Sequence, residues 1–215
     1  MKRGSGLKTL RVTLLVLFFI FMFTPILWMI LTSLKPVNEI VTIPVKYLPE
    51  HWTLDNYSKL WKATQFPIYF KNSMIVSSLC ALFTALVSIF AGYALSRFSF
   101  KGKRITFLIF LSTQMIPIVV IIIPLFIMFS KLNLLDTLTG LVVIYTVLNI
   151  PFCTMLIKGF FERIPISLEE SAMIDGCSRV EALIKIIIPI MLPGIVATFV
   201  FAFIGAWNDL FFSIM

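Results

Sequence analysis

Residues 12–34 run for about 23 positions without one charged side chain. At about 1.5 Å per helical residue, such a run crosses a hydrocarbon core of about 30 Å. In lipid every backbone N–H and C=O must find a partner inside the protein, which leaves helices or closed barrels. A run this long and this uniformly apolar reads as a helix. The feature repeats: further apolar runs fill about 70–96, 105–130, 138–158 and 189–215. With 60% hydrophobic and 13% charged residues and a mean hydropathy of +1.03, the chain carries more apolar surface than a soluble domain can bury. The expected fold is an all-α, polytopic membrane helical bundle with five spans in residues 12–215. A cleavable signal peptide is the competing reading of the first run. That run is too long for a signal core, and no small-x-small site follows it.

The net charge of +8 does not point to nucleic acid, because the charges cluster at the ends of the apolar runs. Residues 1–11 carry Lys2, Arg3, Lys8 and Arg11. Residues 97–104 carry Arg97, Lys101, Lys103 and Arg104 with no acid. By the positive-inside rule both segments are cytoplasmic, which two intervening spans allow. The polar loop 35–67 holds Pro36, Pro44, Pro49 and Pro67, and the interfacial aromatics Trp52, Tyr57 and Trp61. His51 is the one histidine, without a second histidine or a cysteine beside it, and is not expected to bind metal. Cys80, Cys153 and Cys177 are scattered and read as small packing residues.

The spans carry their own signals. Residues 70–96 place Ser73, Ser77, Ser78, Ala81, Thr84, Ala85, Ser88, Ala91 and Gly92 at three- and four-residue steps, which lets helices approach closely. Packing within one bundle and a subunit interface are both compatible with that stripe. Pro117 and Pro124 interrupt the third run, with Gln114 just ahead of the first. Such prolines free carbonyls and bend the axis. Asn149 lies at mid-depth of the fourth run, facing protein or water. Asp209, about 20 residues past Pro189, falls near the far interface.

Residues 164–189 (IPISLEESAMIDGCSRVEALIKIIIP) are the longest polar interruption in the second half. They read as two short helices. Ser167 with Glu170, and Ser178 with Glu181, fit capping boxes. Gly176 supplies a left-handed residue that closes the first helix. Val180, Leu183, Ile184, Ile187 and Ile188 predict one apolar face on the second, with Glu181 and Lys185 one turn apart.

The spacing of Glu170, Ser171, Ala172, Asp175, Gly176 and Pro189 resembles the signature loop of permease subunits of binding-protein-dependent ABC importers. Ser171 stands where that family has alanine, and Cys177 where a small residue is usual. TSLKP at 32–36, LDNY at 54–57, NS at 72–73 and AWNDLFF at 206–212 resemble the sugar-importing branch, in particular the smaller permease subunit of the maltose-transporter type. The resemblance implies a multi-pass protein of a bacterial or archaeal cytoplasmic (inner) membrane with a cytoplasmic N-terminus. It implies that the loop 159–188 is a coupling loop docking on an ATPase through Glu169, Glu170, Ser171, Ala172, Asp175, Gly176 and Pro189. Glu170 would contact a basic group, Ala172 and Gly176 would permit close approach, and Asp175 would fix the turn. The implied partners are a second permease subunit, an ATPase subunit dimer carrying ATP and Mg, and an extracytoplasmic solute-binding protein. The implied substrate is a sugar. Family members usually carry a sixth span after the last run, so a truncated sequence is expected. Gln114, Asn149 and Asn208 are candidates for the substrate path.

No catalytic residue, metal ligand or cofactor is expected on this chain itself. No G-x-x-x-x-G-K-[ST] phosphate loop, H-E-x-x-H site or G-x-S-x-G elbow occurs, and no span carries a row of charges suited to a proton relay. Two alternatives stay open. The substrate could instead be a polyol or glycerol phosphate, although phosphate would want an Arg or Lys in the pathway and the span interiors carry none. The chain could also be a non-transporting scaffold that recruits a soluble partner through residues 164–188.

Overall fold

A computed structural model describes residues 3–214 of the chain. Lys2 and Met215, which the sequence assigned to the N-terminal segment and the fifth run, lie outside the described residues, as does the side chain of Arg3. Among the described residues the regular secondary structure is helical. Its helices are α1 (Arg3–Ser33), α2 (Val37–Ile40), α3 (Asp55–Ala63), α4 (Phe66–Arg97), α5 (Lys103–Met115), α6 (Ile118–Lys131), α7 (Leu138–Phe161), α8 (Ser167–Ile174), α9 (Arg179–Ala182) and α10 (Ile188–Trp207). A π turn, Leu183–Ile187, joins α9 to α10. Among the described residues four continuous helical stretches are long and apolar enough to cross a membrane: Lys8–Ser33, Phe66–Arg97, Leu138–Phe161 and Arg179–Trp207. The α5–α6 pair makes a fifth if it is counted as one span.

The chain divides into two compact units, one reaching Tyr69 and the other starting at Phe70. In the first, α1 is apolar on all sides from Val12 onward, as a helix in lipid is. The polar loop after it is pinned to its end. Asn56 donates through Nδ2 to the carbonyls of Ser33 and Lys35, at 2.9 and 2.6 Å. The Lys35 ammonium is buried, donates to the Lys46 carbonyl at 2.5 Å, and lies 5.1 Å over the Trp28 ring.

In the second unit, α4 buries Ser77, Cys80, Ala81, Thr84, Ala85, Ser88 and Gly92. Most of the small-residue stripe thus packs inside this chain's own bundle, with Ser78 and Ala91 partly buried and Ser73 exposed. A Cβ on Gly92 would lie 2.7 Å from Cγ2 of Ile157 on α7, so the two helices meet almost backbone to side chain. Helix α10 packs on α7 in the same way, since a Cβ on Gly194 would strike the Phe160 ring at 2.7 Å.

The third run is broken rather than bent. α5 and α6 meet at 98°, because Pro117 lacks an N–H and forces Ile116 out of the helical region, to φ −76° and ψ 121°. The fifth run also differs from expectation. The second short helix of the 164–189 segment does not stop before Pro189. It continues through the π turn into α10, with Pro189 in the first turn of that helix. The proline ring would collide with the carbonyl four residues back, and the π turn relieves this by one wider loop, in which the Ile188 N–H donates to the Leu183 carbonyl.

Candidate coupling site

The segment after α7 forms a two-helix elbow. Helix α8 starts one residue earlier than its capping pattern predicts. Pro165 and Ile166 open the first turn, and the Ile166 carbonyl accepts from the N–H groups of Glu169 and Glu170 at 2.9 and 3.1 Å. Ser167 therefore falls inside the first turn, and its capping box with Glu170 does not form. Proline suits a helix start because its φ is preset and the missing N–H is one that lacks a partner there anyway.

The close of α8 follows the sequence reading. Gly176 takes φ +93°, a left-handed conformation open to glycine at little cost. The Cys177 N–H donates to the Ala172 carbonyl at 3.0 Å and the Gly176 N–H to the Met173 carbonyl at 3.2 Å, the paired bonds of a Schellman stop. No side-chain hydrogen bond of Asp175 holds this turn among the described residues; the backbone does. Ser178 then caps α9. Its Oγ accepts from the Glu181 N–H at 3.3 Å, and the Glu181 carboxylate returns to the Ser178 N–H at 2.9 Å. Glu181 also pairs with Lys185 at 2.9 Å.

The acids of α8 point in opposite directions. Glu169 is buried, with 4% of its surface exposed. Its Oε1 accepts from Arg97 Nε at 2.5 Å, and its Oε2 accepts from the Tyr93 hydroxyl at 3.0 Å. The Arg97 Nη2 donates to the Ile164 carbonyl at 2.9 Å. Glu169 is thus spent inside the chain and is not offered to a partner. Ala172, on the same inward face, is buried too, so its close approach is to its own bundle. Glu170, Ser171, Ile174, Asp175 and Ser167 face outward. Ile174 is 85% exposed at the tip.

Helix α9 is held by a second contact, the Arg179 guanidinium 5.1 Å over the Phe98 ring. The predicted apolar face beyond it splits. Leu183 and Ile187 are buried with Ile89, Tyr93, Ile157, Phe161 and Met191, whereas Val180 and Ile184 are exposed. Sequence reasoning missed Tyr93 and Arg97 as site residues, counting Arg97 only as loop charge. Their four-residue spacing at the end of a span, which puts a hydroxyl and a guanidinium on one helix face, was the available signal.

The three candidates for a substrate path are not gathered at one point. Gln114 is exposed in the last turn of α5. Asn149 is half-buried, donates to the Tyr145 carbonyl at 2.8 Å, and has its Oδ1 3.2 Å from where a Cβ on Gly205 would stand. Asn208 is the exposed C-cap of α10. Asp209, placed by spacing at a solvated end, is partly buried and organised. Its Oδ1 accepts from the Tyr145 hydroxyl at 2.9 Å and from the Phe212 N–H at 3.0 Å.

His51 is less isolated than the sequence implies. Its Nδ1 lies 2.7 Å from Oε1 of the buried Glu39, and donor atoms of Glu39, Glu50 and His51 fall within 4.8 Å of one another. Each carboxylate is already used: Glu39 by His51 and the N–H of Glu50, and Glu50 by Lys46. These bonds tie the three residues together as a loop clasp.

Comparison with known proteins agrees on the family. Residues 84–215 match the family described as "Binding-protein-dependent transport system inner membrane component". The chain is 37% identical over 185 residues to the sulfoquinovosyl glycerol transport system permease protein SmoH of Agrobacterium fabrum, covering 86% of this chain and 65% of that protein. It is 34% identical over 200 residues to the diacetylchitobiose uptake system permease protein DasC of Streptomyces coelicolor, covering 93% and 72%. It is 34% identical over 194 residues to the trehalose/maltose transport system permease protein MalG of Thermococcus litoralis, covering 89% and 69%. Its fold is shared with a chain of a bacterial ABC transporter involved in import of the acidic polysaccharide alginate, with a TM-score of 0.82 at 22% identity, over 97% of this chain and 74% of that one. The chain thus spans about two thirds of the length of these relatives. With the apolar helices described above, it is a multi-pass membrane protein and belongs to the family of inner membrane components of binding-protein-dependent transport systems.

Proposed function

We propose that this chain is a permease subunit of an ATP-driven importer that moves a sugar across the cytoplasmic membrane by alternating access. In this reading a second permease subunit completes the pathway and a solute-binding protein delivers substrate from outside. ATP and Mg are held by a separate ATPase dimer. The N-terminus and the elbow lie in the cytoplasm, where the basic residues Arg97, Lys101, Lys103, Arg104, Lys158, Arg163 and Arg179 gather. The names of the relatives SmoH, DasC and MalG all specify carbohydrates or their glycosides, and this supports a carbohydrate substrate.

The observation that carries the proposal is the outer face of α8. Helix α8, closed by its Schellman stop, presents an acid, Glu170, one turn from a nearly fully exposed isoleucine, Ile174, on a polar elbow between two membrane helices. An apolar knob beside a charge is the chemistry of a docking anchor, and single apolar anchors carry much of the energy of such contacts. Docking moves the bundle only if its free energy differs between the two states of the ATPase. Substituting Glu170→Arg tests this. The ATPase subunit should be lost from the purified complex and uptake should fall with it. Co-purification with full uptake would contradict docking through Glu170. A mere scaffold is separated by reconstitution, since only a transporter shows ATP hydrolysis stimulated by its substrate and binding protein.

A further inference from the structure

Helix α4 is not adjacent to the elbow in sequence and meets it through the side chains of Tyr93, Arg97 and, just past its end, Phe98. Arg97 and Glu169 are 72 residues apart, whereas α7 and α10 are joined to the elbow by continuous chain. The contact is nonetheless saturated. Both carboxylate oxygens of Glu169 are used, one by Arg97 and one by Tyr93. The guanidinium grips α8 through Glu169 and the strap before it through the Ile164 carbonyl. The Arg97 and Glu169 side chains are each 5% exposed. The neighbouring Phe98 carries Arg179 of α9 on its ring and meets Tyr93 edge to face at 5.8 Å. No acid stands in residues 97–104 to replace Glu169.

We propose that the Tyr93–Arg97–Glu169 cluster is a positioning device that locks the elbow to the end of α4, so that displacement of the elbow moves α4 as one body with it. This rests on reading α8 as the docking element of an importer. The physical reason is the cost of partial opening. Pulling α8 away from α4 leaves a buried guanidinium and a buried carboxylate without partners, which is far worse than keeping them together. A contact of that kind does not stretch; it is made or broken. It therefore transmits movement instead of absorbing it, as packed elements with two discrete arrangements do. Glu169 and Glu170 divide the work: the outward acid meets the partner, and the inward acid carries the load to a helix that is not directly joined to the elbow.

The test uses the assembled transporter with its ATPase and binding protein. Arg97→Glu and Glu169→Arg should each leave the ATPase subunit bound and hydrolysing. Uptake per ATP should fall at least about fivefold, the lower end of typical coupling effects. The double variant R97E/E169R should return uptake per ATP most of the way, because the pair is restored with its charges exchanged. A purely structural role would lower the amount of complex and scale both activities together. Should the single reversals fail to accumulate, Glu169→Gln, which keeps shape and one acceptor, gives the same readout at smaller amplitude. Unchanged uptake per ATP in the accumulating single variants, or a double variant no better than the singles, overturns the proposal. Glu170→Arg run in parallel keeps the two ideas apart. Retention of the ATPase there counts against docking, while uptake per ATP in the Arg97 and Glu169 variants judges the clamp.

Discussion

Glu169 and Glu170 stand side by side in sequence and face opposite ways. Losing the first is predicted to leave Arg97 buried without its counter-charge, a change that costs about 3–5 kcal/mol in comparable sites. Losing the second removes no internal contact and should stay within about 0.5 kcal/mol. Thermal unfolding of the purified chain in detergent checks both: Glu169→Ala should melt well below the parent, and Glu170→Ala should melt with it. Gly176 sets a second residue-scale expectation. Its φ of +93° disfavours any β-branched residue, while open space surrounds the site, so Gly176→Val is penalised by the backbone alone. That penalty is of order 1–3 kcal/mol and should show as faster amide exchange in residues 167–178 and weaker coupling of hydrolysis to uptake. Glu39 gives a pH expectation. The hydrogen bond from His51 leads in holding its carboxyl below the ordinary 4.5, burial opposes it, and the amides of Glu50 and His51 add to it. A carboxyl with a lowered folded-state pKa contributes stability above its unfolded value and loses it as pH falls through the folded value. Protection of the Glu50 amide, corrected for intrinsic rate, should therefore disappear on acidification below pH 4.5, and Glu39→Gln should abolish that dependence.

At the scale of elements, capping is local and largely legible. The Ser178–Glu181 box formed as its spacing predicts, and so did the left-handed stop at Gly176, because both depend on bonds within a few residues. Ser178→Ala should cost about 1 kcal/mol and loosen the first turn of α9, measurable by amide exchange. The Ser167 box failed because a neighbouring proline offered an earlier start, a competition between two local signals that composition does not rank. The apolar runs were legible because lipid imposes length and composition together. The broken α5–α6 pair and the π turn were not. A proline announces that a helix is disturbed, but whether it kinks, breaks or widens is decided by what packs around it. The inward turn of Glu169 was equally hidden, since the acid and its arginine lie 72 positions apart. Close packing of α4 on α7 was signalled by small residues, but their partner was not. Gly92→Leu should now be severe, because even a Cβ there would meet Ile157 and the Lys158 backbone at 2.7 and 3.1 Å.

For the whole molecule, the arrangement reduces to one relation. A bundle sits in lipid, and a polar elbow at one end offers an acid and an isoleucine outward while gripping its own helices inward. The path candidates Gln114, Asn149 and Asn208 stand apart, in α5, in α7 and at the C-cap of α10. In the proposed function, energy passes through this elbow, which then lies on the side where ATP is hydrolysed. The most direct measurement is the accessibility of a single thiol at Ser171, an exposed position on the outer face of α8, with Cys177 replaced by serine and the buried Cys80 and Cys153 left in place. A membrane-impermeant maleimide should label Ser171→Cys in inside-out vesicles and not in right-side-out cells, and bound ATPase subunit should protect it. Labelling from the outside, or labelling from the inside that the ATPase leaves unchanged, would contradict the account.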